Sequence, residues 1–109
     1  MENITPQTQK EFVENMKQAP VSEQISQVLK GMEKLLHEKN RRYGNSALKP
    51  MGVFNKLDSV DSICIRIDDK LGRIRNGTEL AKNDVSDMIG YLTLLCVAKG
   101  WTCFDELID

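Results

Sequence analysis

Asp84 and Asp87 lie three residues apart, and Tyr91 follows four residues later. On a helix this spacing brings both carboxylates and the phenol onto one face. Two carboxylates so placed can share a hard divalent cation. Mg²⁺ commonly takes one or two carboxylates and completes its octahedron with water and phosphate oxygens, so the pair suits a nucleotide-phosphate site if another helix adds a ligand. The doublet Asp68-Asp69 offers that ligand. With about 100° of rotation per residue, Asp68 lies nearer the apolar stripe of its helix and is the expected inward contributor, while Asp69 points outward. Lys70 next to them either snorkels outward or neutralises a phosphate or carboxylate. A purely structural account also fits these charges. Asp84 and Asp87 open a helix, where the dipole favours negative charge. Asp69 stands between Arg66 and Arg73 at the spacing of a surface ion-pair ladder.

A second set runs from Lys39 to Asn45. Lys39, Arg41 and Arg42 adjoin Tyr43 and Asn45, a combination able to hold a phosphate and stack a base. The alternative is a solvated helix end whose cations complement the carbonyl dipole. His37 is the only histidine and reads as a surface or core-edge residue rather than a base or ligand. Cys64, Cys96 and Cys103 are an odd number without a Cys-x-x-Cys spacing, which argues against both a disulfide framework and a Cys/His zinc site and predicts buried, reduced thiols.

The elements that position these groups are legible in the apolar spacing. Residues 7–18 are helix-compatible but carry only Phe12, Val13 and Met16 as anchors, and Pro20 ends them, which predicts a short, loosely docked arm or helix. From Ser22, the apolar residues Ile25, Val28, Leu29, Met32, Leu35 and Leu36 recur at three and four, predicting a long helix to about Asn40. Gly44-Asn45 then suits a helix stop, and Pro50-Met51-Gly52 a loop. Ile63, Ile67, Leu71 and Ile74 predict a second main helix ending at Asn76-Gly77, with Gly77 as a left-handed cap. Asn83 is the expected N-cap of a third. That helix has no charged residue from Met88 to Ala98, so it is apolar nearly all round and needs cover on most sides. Three helices do not supply it, which points to the N-terminal arm, the C-terminal tail or a second copy. Lys99-Gly100 closes this helix, and Trp101, Phe104, Leu107 and Ile108 form a short apolar ending. The expected fold is all-α: a compact bundle of three main helices with short terminal helical segments, completed by homo-oligomerisation. Residues 1–20 are expected to form an N-terminal arm or short helix, and 21–109 a helical nucleotide-handling domain.

At 109 residues the chain is sized for one domain. Its 15 basic and 16 acidic side chains nearly cancel, so no long-range field draws it to nucleic acid or an anionic membrane, and direct DNA binding is not expected. The start of the chain lacks the apolar run of a signal peptide, and no stretch reaches the ~20 apolar residues of a membrane span. The expected location is the cytoplasm.

Three strings then carry a resemblance: Glu38-Lys39-Asn40-Arg41-Arg42-Tyr43-Gly44-Asn45-Ser46-Ala47, Arg66-Ile67-Asp68-Asp69-Lys70-Leu71-Gly72-Arg73-Ile74, and Asn83-Asp84-Val85-Ser86-Asp87-Met88-Ile89-Gly90-Tyr91-Leu92. Over roughly residues 27–108 the chain resembles the nucleotide modification associated family, type 1, a group of small phage and prophage proteins. More distantly it is similar to the all-α nucleoside triphosphate pyrophosphohydrolases of the MazG type, which bind Mg²⁺ through acidic motifs on two adjacent helices. The resemblance implies metal ligation by Asp84 and Asp87, where the later acidic motif falls. The earlier motif is half kept, because Asp68 is followed three positions on by Leu71 and Asp69 by Gly72. The implied activity is Mg²⁺-dependent hydrolysis of a nucleotide phosphoanhydride. In it Asp68, Asp84 and Asp87 hold the metal, Asp68 and Lys70 serve the reaction, and Lys39, Arg42, Tyr43, Asn45 and Tyr91 bind the nucleotide. The incomplete motif equally suits a protein that binds or sequesters a nucleotide without cleaving it. A helical interaction protein with no small-molecule site is the third reading.

Overall fold

The structure is a computed structural model and describes residues 6–44 and 58–109. Four α-helices follow in order: α1 (Pro6–Lys17), α2 (Val21–Tyr43), α3 (Ser59–Asn76) and α4 (Lys82–Lys99), then a 3-10 turn (Asp105–Leu107). No strand occurs among the described residues, and the fold is all-α. None of these helices is long and apolar enough to cross a membrane. The chain forms two compact units, Met1–Lys34 and Leu35–Asp109, dividing within α2.

In the first unit, α1 passes into α2 through a tight turn. The Gln18 and Ala19 amides donate to the Asn15 and Met16 carbonyls, and the Gln24 Nε2 amide reaches back to the Ala19 carbonyl at 2.8 Å. These bonds satisfy groups that a helix end leaves open. Pro20 stops α1, as its missing N–H requires.

In the second unit, α3 and α4 pack on one another, joined by the short connection 77–81 as an αα-hairpin. Asp58 caps α3, its side chain accepting from the Asp61 amide at 2.8 Å. α2 runs three residues beyond the expected Asn40 and ends at Gly44. That glycine adopts φ 58° and donates to the Asn40 carbonyl at 2.9 Å, a left-handed stop open to glycine at no steric cost. Gly77 differs from expectation: its φ of -80° and ψ of 160° are extended. The amide of Gly77 completes a last helical bond to Arg73, and the chain simply straightens into the connection. The N-cap of α4 is Ala81 rather than Asn83, so Lys82 and Asn83 already belong to the first turn and the Asn83 carbonyl accepts from Ser86 Oγ. At its other end Gly100, at φ 73°, donates to Val97 while Trp101 donates to Cys96, which is a Schellman closure.

Ile63 is 1% exposed and is the one apolar side chain among the described residues that is fully shut from water. The buried seam of α3 runs through Ile63, Ile67, Lys70 and Ile74, while Leu71 faces outward. The thiols are free, but Cys64 and Cys103 are exposed and only Cys96 is half-buried, so burial was expected of more of them than the packing provides.

Candidate functional site

The end of α2, the middle of α3 and the start of α4 meet in one charged cluster. On α4, Asp84 and Asp87 do share a face, as their spacing requires. Lys70 of α3 enters from the seam, its Nζ 2.8 Å from Asp87 Oδ2 and 3.6 Å from Asp84 Oδ1. Lys39 of α2 donates to the other Asp87 oxygen, Oδ1, at 3.2 Å. Asp87 therefore accepts one ammonium on each oxygen and ties three helices together. The side chains of Lys70, Asp84 and Asp87 are 12%, 16% and 23% exposed, so these charges are largely withdrawn from water and depend on one another. The hydrogen bond from Lys70, followed by that from Lys39, holds the Asp87 carboxyl below the usual range. The same bond to Asp87 raises the Lys70 ammonium above the ordinary lysine value.

One further contact explains how α2 reaches this point. Gly90 of α4 is buried, and a Cβ there would lie 3.0 Å from Leu36 Cδ2, so the glycine lets α2 approach closely. Leu36 and Lys39 are one turn apart on α2, and Gly90 and Asp87 one turn apart in the reverse sense on α4. The apolar contact and the ion pair are thus set by a single antiparallel register.

The other residues singled out in the sequence are placed differently. Asp68 is exposed and does not join Asp84 and Asp87. The seam takes Lys70 inward, and Asp68, two residues away, is turned through about 200° from it. Arg66, Asp69 and Arg73 are all exposed, where ion pairs gain little over hydration. Arg42 and Tyr43 are exposed at the end of α2 and Tyr91 is half-buried on α4, while Asn45 lies outside the described residues. Glu38, which the motif reading passed over, is the acceptor for the basic block. Arg41 grips it with Nη2 and Nε at 2.6 and 3.2 Å, and Arg42 Nε adds a bond at 3.3 Å. Arg41, foremost, holds the Glu38 carboxyl low and has its own value raised in return. The i, i+3 and i, i+4 spacings of these arginines from Glu38 were the available signal.

Among the described residues no group of three or more His, Cys, Asp or Glu side chains is placed to hold a metal. The one candidate pair already carries an ammonium within 2.8 Å. Asp84 Oδ1 is sealed from solvent and accepts no hydrogen bond, its partner being the Lys70 charge at 3.6 Å. What the arrangement offers chemically is a fixed, internally balanced set of two cations and two anions, with a basic and aromatic helix end beside it. No protein-family model, curated protein or solved structure matches the chain.

Proposed function

We propose that this chain binds a nucleotide or nucleotide-derived molecule and leaves it intact, as a phage-type sequestering or nucleotide-handling protein of the cytoplasm. The observation that carries this reading is the 3.2 Å bond from Lys39 to Asp87. It joins the block with phosphate-binding and base-stacking residue types to the acidic face of α4, so both belong to one locus. In this reading Arg42 and Lys39 meet phosphate charge, and Tyr43 supplies a face for the base. Lys70, Asp84 and Asp87 fix the helices that present them. Anion binding draws Lys39 partly away from Asp87, which Lys70 continues to neutralise.

A thermal-shift screen against canonical, modified and cyclic nucleotides, in Mg²⁺ and in EDTA, tests this, with mass analysis of each bound ligand. The expected outcome is a stabilising ligand in both conditions that is recovered unchanged and whose effect is lost in Arg42→Ala/Tyr43→Ala. Cleavage requiring Mg²⁺ would replace this reading with the phosphoanhydride hydrolase, and no shift with any nucleotide would remove both.

A second reading, a helical interaction protein that pairs with a second copy of itself, is favoured by a separate observation. Leu92 and Val97 of α4 are 46% and 51% exposed on a helix segment without charge, with Ile65, Leu71 and Trp101 also exposed.

A further inference from the structure

We infer that Lys70 is the resident counter-cation of Asp84 and Asp87, and that the pair accepts a divalent ion only when the Lys70 ammonium is removed. The inference deepens the reading of this locus as a metal-independent binding site, but it concerns only the chain's own charges.

Three observations carry it. Lys70 Nζ stands between carboxylates on successive turns of α4, at 2.8 and 3.6 Å, within reach of both at once as a bridging cation would be. The Lys70 side chain is only 12% exposed and lies in the α3 seam between Ile67 and Ile74, so expelling it forces an ammonium out of a packed position. The remaining Asp87 oxygen is taken by Lys39 at 3.2 Å. A divalent ion entering here must displace one ammonium and compete with a second. It must also shed water, which Mg²⁺ does reluctantly. The expected third carboxylate, Asp68, is exposed and gives no help. A single positive charge neutralises the two carboxylates incompletely, and Lys39 supplies the balance. Two lysines thus meet the charge requirement that one divalent ion would otherwise meet.

The test uses the whole 109-residue chain without nucleotide. Mn²⁺ binding is followed by electron paramagnetic resonance and calorimetry in wild type, Lys70→Met, Lys70→Arg and Lys70→Met/Asp87→Asn. Wild type and Lys70→Arg are expected to show no Mn²⁺ site in the micromolar range. Lys70→Met should bind at least ~10-fold more tightly than wild type, about 1.4 kcal/mol, and the added Asp87→Asn should abolish the gain. If Lys70→Met does not fold in EDTA, Mn²⁺ is expected to restore its helical circular dichroism; failure to do so overturns the inference. A wild-type site that is lost on Asp84→Asn or Asp87→Asn overturns it as well, as does a folded Lys70→Met that gains nothing. Because no nucleotide is present, each result stands whether or not the nucleotide screen succeeds.

Discussion

Asp87 accepts a different lysine on each of its oxygens, and its ionisation is consequently linked to folding. Its carboxyl is held low in the folded chain by Lys70 first and Lys39 second. The stability it adds is therefore complete above the unfolded carboxylate value and is lost as pH falls through the lower folded one. For Lys70, held high chiefly by its bond to Asp87, the sense is opposite: its contribution is complete below the ordinary lysine value and fades as pH rises through the raised one. Together they predict a Tm that is flat through neutral pH and falls in acid. Asp87→Asn is expected to cost about 1–3 kcal/mol at neutral pH, lowering Tm by several degrees, and to flatten the acid side of the profile. Circular dichroism melts from pH 3 to 9 check this, and parallel acid limbs in wild type and variant would contradict it. Glu38, exposed in its arginine grip, should matter little and less still in high salt.

Among the helices, α2 approaches α4 closely at Gly90. A methyl group there already lies 3.0 Å from the end of the flexible Leu36 side chain, and a branched side chain adds two more carbons at this buried position. Gly90→Val is expected to destabilise by roughly 1–3 kcal/mol through overpacking. It should also weaken the Lys39–Asp87 pair, because Leu36 and Lys39 lie one turn apart on the same helix. Urea unfolding gives the first quantity. A double-mutant cycle with Lys39→Met gives the second, where simple additivity would show that packing and ion pair are independent.

For the chain as a unit of assembly, the question is what covers α4. Its segment from Met88 to Ala98 has no charge, yet Leu92 and Val97 remain about half exposed. Fully burying such a side chain is worth about 1.5–3 kcal/mol, enough in sum to favour association through this face. Wild type is expected to sediment as a homo-oligomer with a concentration-dependent Tm, and Leu92→Glu to sediment as a monomer. A wild type that is monomeric at every concentration would show that α4 needs no second copy.

The existence and order of the helices were readable from the chain because they depend on neighbours within one or two turns. Apolar residues at three and four mark α2 and α3, Gly44 and Gly100 end helices where left-handed backbone is required, and the uncharged run marks α4. The shared face of Asp84 and Asp87 was readable for the same reason. Which residues face inward was decided by packing. Lys70 and Leu71 differ by about 100° around α3, so a small rotation chooses between them, and the choice of lysine rests on partners on two other helices. Sequence spacing carried no sign that Lys39 would reach Asp87, 48 residues away, or that Asp68 would stay in water. A charge is drawn into a protein interior only where the tertiary fold supplies its counter-charge.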